Sequence, residues 1–174
     1  LAKLAHELDG CRPDYLVISH MEPDHSGSIL RLAEKYQEMQ LVGNAKTFTM
    51  LRQFFGADAP SNDRLLEVGE GETLPLGAHT LHFMLAPMVH WPEVMVAYEE
   101  TEKLLFSADA FGRFGALSRT AAAPWAPQAR RYYYNIVGKY GAQVQALLKK
   151  AAALEIETIC PLHGPVLTGG ALAE

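Results

Sequence analysis

Tyr15-Leu-Val-Ile-Ser-His-Met-Glu-Pro-Asp-His-Ser-Gly-Ser28 is the stretch on which the reading of this chain turns. Its first part, Tyr15 to Ser19, is short, apolar and β-branched and follows Pro13, which predicts a buried strand. Its second part, His20 to Ser28, is polar. Within six residues it carries four side chains able to hold a metal: His20, Glu22, Asp24 and His25. A loop at the C-terminal end of a strand is where α/β folds place function, because the rigid strand fixes it. One or two such groups suit an ordinary solvated loop, whereas four in this alternation point to a metal site.

Outward from this stretch the chain reads as a layered α/β domain. Leu1 to Leu8 has helical spacing and is stopped by Gly10. Ser28 is placed to cap a helix running to Tyr36, Leu41 to Gly43 reads as a strand, and Asn44 to Phe55 reads as a helix ended by Gly56. From Arg64 onward short strands alternate with turns: Arg64 to Val68, the Gly69-Glu70-Gly71 turn, Glu72 to Leu76, Thr80 to Leu85, Val94 to Tyr98 and Lys103 to Ser107. That pattern predicts an antiparallel meander. Helices are expected over Pro124 to Val137 and Ala142 to Leu154, then a strand over Glu157 to Cys160 stopped by Pro161. The sum predicted is a sheet with helices outside, in one domain over residues 1–174.

Composition excludes several classes. The 174 residues are 49% apolar and 20% charged, as in an ordinary globular protein. A net charge of −5 argues against a nucleic-acid partner. The most apolar stretch, Leu81 to Tyr98, is broken by His82, Pro87, His90, Pro92 and Glu93, too soon for a membrane span. No signal peptide is recognisable, and two cysteines, Cys11 and Cys160, are too few for a disulfide framework, so a cytoplasmic location is expected.

Three further candidates sit at turn-like positions after apolar strands: His90, Asp109 and His163. With the first loop they make four imidazoles and three carboxylates, enough for two metals if one carboxylate bridges. A structural zinc would use four ligands, mostly thiolates.

These segments resemble the catalytic domain of the flavodiiron proteins, also called A-type flavoproteins. The matching text is the Tyr15 to Ser28 stretch, Val89-His-Trp-Pro92, Leu105-Phe-Ser-Ala-Asp-Ala-Phe-Gly112, Arg131-Tyr-Tyr-Tyr-Asn135 and Cys160-Pro-Leu-His-Gly-Pro165. The resemblance implies a metallo-β-lactamase-like αββα sandwich, here lacking its N-terminal strands. It implies one iron on His20, Glu22 and His90, a second on Asp24, His25 and His163, and Asp109 bridging them. The activity implied is reduction of dioxygen to water, of nitric oxide to nitrous oxide, or both. FMN would come from a flavodoxin domain expected beyond Ala173, within a head-to-tail homodimer, and rubredoxin or a flavin reductase would donate electrons. Thr168-Gly-Gly170 does not replace the flavin's phosphate loop, having no helix behind it.

Glu22 stands where zinc hydrolases of this fold usually carry a histidine. A carboxylate there hardens the site and adds negative charge, which suits iron. A dinuclear zinc hydrolase and a non-catalytic di-iron dioxygen sensor are the alternatives. The resemblance departs at Glu93-Val94, where a small polar residue often follows the acid; that difference leaves the ligands alone. Trp91, fixed beside His90, is expected to wall the pocket or to make a contact on the flavin side. His6, His79 and His82 are not expected as ligands, and His82 is expected on the solvated face of its strand. Tyr132, Tyr133, Tyr134 and Trp125 are read as packing residues, Cys11 and Cys160 as buried small hydrophobes, and Lys149 and Lys150 as cations favoured at a helix C-terminus.

Overall fold

In the computed structural model, which describes residues 1–120 and 124–172, the strands divide between two sheets. Helix α1 (Ala2–Leu8) leads into β1 (Tyr15–Val17). The short α2 (Pro23–Ser26) and α3 (Ile29–Lys35) return the chain to β2 (Gln40–Gly43), and α4 (Ala45–Phe55) returns it to β3 (Leu65–Glu67). All three strands are parallel, with Val17 opposite Val42 and Leu41 opposite Leu65. Asn44 starts α4 as expected, its side-chain oxygen accepting from the Lys46 and Thr47 backbone N–H groups. Ser28 precedes α3, but its side chain makes no capping hydrogen bond.

The second sheet is a six-stranded mixed one: β4 (Thr73–Leu76), β5 (His79–Leu85), β6 (Met95–Glu99), β7 (Leu104–Phe106), β8 (Thr158–Cys160) and β9 (Leu167–Thr168). Strands β4 to β7 form the expected antiparallel meander. The chain then crosses over through α5 (Leu117–Thr120), α6 (Trp125–Ile136) and α7 (Gly141–Ala151), so β8 pairs parallel to β7.

The Arg64 to Val68 stretch does not belong to this meander. It follows a helix, and a helical crossover delivers its strand parallel to the one before, so β3 joins the first sheet beside β2. The single sheet read from the pattern is therefore two. Gly69 to Gly71 is the turn between them.

Two sheets need three interior layers, and the buried residues fall into three clusters. Leu41, Phe48, Leu51, Ile29 and Met21 fill the space between the first sheet and α3 and α4. Val42, Val68, Leu81, Phe83, Met95 and Ala97 fill the space between the sheets. Val94, Val96, Leu105, Val137, Leu147 and Ile159 pack the second sheet against α6 and α7. Neighbours Leu41 and Val42 thus point to opposite layers, as do Met95 and Val96, which is the period of a strand buried on both faces. The order is helix, sheet, sheet, helix, the αββα sandwich the resemblance implied.

Arg64 and Lys150 tie the layers at their rims. The Arg64 guanidinium donates to the carbonyls of Ala33, Tyr36 and Met39, where α3 ends. Lys150, in the last turn of α7 as expected for a cation, also reaches the Glu70 carboxylate at 2.8 Å and the Leu85 carbonyl at 2.9 Å. Cys160 on β8 is half-buried, but Cys11 is exposed, against expectation, because it lies past the end of α1 and outside every layer. Ala173, beyond which a further domain is expected, lies outside the described residues. Among the described residues no helix is long and apolar enough to cross a membrane.

Candidate metal centre

The loops following β1, β5, β7 and β8 bring the seven expected side chains together. His20, Glu22, His90 and Asp109 form one group and Asp24, His25 and His163 another, the potential ligand atoms within each lying no more than 4.8 Å apart. Local chemistry fixes each loop. Met21, fully buried, anchors the first one, and Pro23 opens α2 at a position where its missing N–H costs nothing. Ser19 O accepts from Met95 N at 3.0 Å and so joins the two sheets directly beneath the centre.

Asp109 is held by a tight turn in which Ser107 Oγ donates to the Ala110 carbonyl. The residue before it, Ala108, takes a left-handed φ of 51°, a conformation that costs a non-glycine residue about 1 kcal/mol or more. The His163 loop leans on the same turn, since Leu162 N donates to Ala108 O and Arg113 N donates to His163 O. Gly164 makes that approach feasible: its φ is 101°, and a Cβ there would lie 2.8 Å from the Arg113 side chain.

The two groups meet at Asp109, which is 1% exposed. Its Oδ2 lies 3.1 Å from His90 Nε2 and 3.6 Å from His20 Nε2, and its Oδ1 lies 3.1 Å from His25 Nε2 and 3.7 Å from His163 Nε2. Glu22 Oε2 lies 3.1 Å from His90 Nε2 and 3.4 Å from His20 Nε2. Asp24 Oδ2 faces His25 and His163 at 3.5 and 3.4 Å. Among the described residues, His20 Nε2, His25 Nε2 and Asp109 Oδ1 are buried without a hydrogen-bond partner. Buried polar atoms left this way are costly, and coordinated cations in the two groups on either side of Asp109 would satisfy them. The donors are imidazole and carboxylate, without a thiolate, which fits iron, zinc or manganese.

Electrostatics around the centre follow from burial and carboxylates together. Burial opposes charge on His20, but its hydrogen bond to Glu93 and the nearby Asp109, Glu93 and Glu22 carboxylates hold its pKa above the ordinary value. Burial likewise opposes charge on Glu93, yet the hydrogen bonds from His20 and from the Met21 N–H hold it below the usual carboxylate range. The Tyr132 hydroxyl is pushed up, first by burial and then by the Asp109, Glu22 and Asp24 charges.

Trp91 packs edge-on against His20 at 5.2 Å between ring centroids and lies 6.2 Å from the His90 ring. Tyr132 is buried, its ring 5.9 Å from that of His163, and Gly112 leaves room for it, since a Cβ there would fall 2.6 Å from the ring. Tyr134 does not share its packing role and is 71% exposed. Trp125 is half-buried against the outer core. His6, His79 and His82 belong to neither group. His79 pairs with Glu99 at 3.0 Å, and His82 pairs on the exposed face with Glu100 at 2.7 Å.

Glu93 is the residue that spacing alone undervalued. It is fully buried, lies 2.7 Å from His20 Nδ1 and accepts from Met21 N at 2.8 Å. Asn44 Nδ2 donates to its carbonyl at 2.7 Å. The signal for it was an acid two residues before β6, a strand buried along its whole length.

Comparison with known proteins agrees with the fold. The chain is 34% identical over 177 residues to a rubredoxin-oxygen oxidoreductase of Megalodesulfovibrio gigas, which covers 97% of this chain and 43% of that protein. It is 31% identical over 171 residues to a nitric oxide reductase of Moorella thermoacetica, covering 94% of this chain and 42% of that one. The crystal structure of the flavodiiron protein from Giardia intestinalis superposes with a TM-score of 0.86 at 29% identity, over 98% of this chain and 43% of that chain. The chain thus spans less than half the length of the relatives it matches. Residues 1–164 match the family model described as ODP family beta lactamase, and with the sandwich and its clustered loops in place, the chain belongs to that family.

Proposed function

We propose that this domain is the di-iron oxidoreductase part of a flavodiiron-type protein, reducing dioxygen, nitric oxide or both. The observation that carries the reading is the shared Asp109 carboxylate between an acid-containing group, His20, Glu22 and His90, and a second group, Asp24, His25 and His163. His20, Glu22 and His90 would hold one iron and Asp24, His25 and His163 the other, with Asp109 bridging. Two irons held there would supply electrons and open coordination positions for a small oxidant.

The chain's own residues supply the surroundings. A cavity of about 370 Å³ has Asp109 on its wall, with Val89, Phe111, Trp125, Tyr132 and Val137 around it. The lining is mostly apolar and aromatic, with the Arg130 side chain also on its wall. Trp91, packed on both imidazoles of the Glu22 group, limits water on that side. FMN from a flavodoxin domain is the proposed immediate electron source, in a head-to-tail dimer, with a rubredoxin or flavin reductase behind it and a cytoplasmic setting. The relatives named for rubredoxin-oxygen oxidoreduction and nitric oxide reduction support this reading.

The test is metal content by mass spectrometry on protein made anaerobically with iron and zinc both supplied. It is followed by dioxygen and nitric oxide consumption with a reduced flavodoxin donor. About two irons per chain, as a bridged pair requires, with consumption of either gas, is the expected result. Two zincs would replace the reading with a hydrolase, and two irons without turnover would favour a sensor.

A further inference from the structure

Glu93 touches no other proposed ligand than His20, yet it joins three segments around the centre. Its Oε1 receives both His20 Nδ1, at 2.7 Å, and the Met21 N–H, at 2.8 Å, while its carbonyl receives the Asn44 side chain at the start of α4. Glu93 and the His20 side chain are fully buried. A carboxylate can only accept, so Nδ1 carries the proton and the imidazole is turned with Nε2 toward Glu22 and Asp109 at 3.4 and 3.6 Å. Tautomer and ring angle are both set by one contact. Among the described residues the second group shows no equivalent: His25 and His163 are flanked by each other and by Asp24 and Asp109, and the Glu93 carboxylate pairs with His20 instead.

We propose that Glu93 is the positioning residue of the Glu22 side of the centre alone, holding His20 in its ligating tautomer and fixing the Met21 backbone, so that the two metal positions are supported by different outer partners. The proposal rests on the reading of His20 as a ligand. Its direct consequence is asymmetry. A carboxylate behind a ligating histidine is commonly worth about 10–100-fold in metal affinity, and here that loss should fall on one position of two.

Glutamine separates geometry from charge. Its amide oxygen can accept from both His20 Nδ1 and Met21 N, as Oε1 does, while its NH₂ takes the place of Oε2, which has no hydrogen-bond partner among the described residues. The experiment is anaerobic titration of the whole chain with cobalt(II), whose visible absorption reports coordination number and ligand type, alongside iron stoichiometry and circular dichroism. Wild type, Glu93→Gln, Glu93→Ala and, as a marker for the other position, His163→Ala are compared.

The expected result is two cobalt ions in wild type, one site weakened about 10–100-fold in Glu93→Ala with the other unchanged, and recovery of most of that loss in Glu93→Gln. The absorption band lost in Glu93→Ala should be the one retained in His163→Ala. Equal weakening of both sites in Glu93→Ala, or a Glu93→Gln as poor as Glu93→Ala, would overturn the proposal. So would an unchanged titration. A wild-type chain that takes up no ion would instead overturn the di-metal reading beneath it. If Glu93→Ala fails to fold, the Glu93→Gln titration and the absorption bands of His163→Ala still decide the matter, because a positioning role requires native-like binding at both sites in the glutamine variant.

Discussion

Asp109 Oδ2 stands 3.1 Å from His90 Nε2, and the other oxygen of the same carboxylate stands 3.1 Å from His25 Nε2 on the opposite group. A side chain 1% exposed, with each oxygen turned to a different set of imidazoles, is what the proposed bridge requires. It also bears on the burial of Asp109 itself, whose charge the proposed cations would balance, while Glu22 and Asp24 stay partly open to solvent.

Asp109→Ala should therefore lower the content of both metals and not of one. Removing a ligand from a single position would leave the other group's stoichiometry intact, whereas losing the shared carboxylate weakens both. Metal analysis after anaerobic purification reads the result directly. Two irons still bound in Asp109→Ala would remove the bridge.

Glu22→His should leave the fold and the total metal content near wild type while shifting preference from iron toward zinc. The imidazole replaces a hard anionic oxygen facing His20 and His90 at 3.4 and 3.1 Å by a neutral, softer nitrogen. Purification from medium holding both metals, with the zinc-to-iron ratio compared to wild type, measures the shift. An unchanged ratio would mean that Glu22 does not set metal choice.

The candidate centre was legible in the sequence because its seven side chains sit where strands end, and a strand's end is marked by a change from apolar to polar text. His20 to His25 follow β1 directly, and His90, Asp109 and His163 each follow a comparable apolar run. What was not legible required knowing which strand lies beside which. Leu65–Glu67 reads like any other short strand, and only its pairing with β2 puts it in the first sheet. The role of Glu93 was not legible for the same reason, since its partner His20 is 73 positions away and the contact exists only once the two sheets stack. Cys11 was misjudged because cysteine is usually buried, whereas this one lies in the connection between α1 and β1, outside the layers.

Arg64→Ala should destabilise the chain by about 2–3 kcal/mol, near the upper end for one substitution, because three backbone carbonyls of the α3 to β2 connection lose a charged donor together. Arg64→Lys should recover less than half, since an ammonium cannot reach three carbonyls in the fan that a guanidinium spans. Urea unfolding with an unchanged slope and a lowered midpoint is the expected signature. A midpoint equal to wild type would show that the three contacts contribute nothing net.

Glu99 gives the fold an acid-sensitive tether away from the centre. Burial raises its pKa, but the backbone N–H groups of Glu102 and Thr101 and the His79 ring outweigh that, taking it from 4.5 to about 2. A carboxylate whose folded pKa is depressed contributes stability that is whole above about pH 4.5 and is lost as the pH falls toward 2. Glu99→Gln keeps one acceptor oxygen and the side-chain volume but titrates in neither state. At pH 6 to 7 the variant should be the less stable, and the gap in urea midpoint between it and wild type should narrow steadily as the pH is lowered from about 5 to 3. Comparing the two proteins at each pH cancels acid effects on the metal centre, which they share. A gap that stays constant across that range would show that the Glu99 charge does not contribute to the fold, and that its contacts at the end of β6 act only as neutral hydrogen bonds.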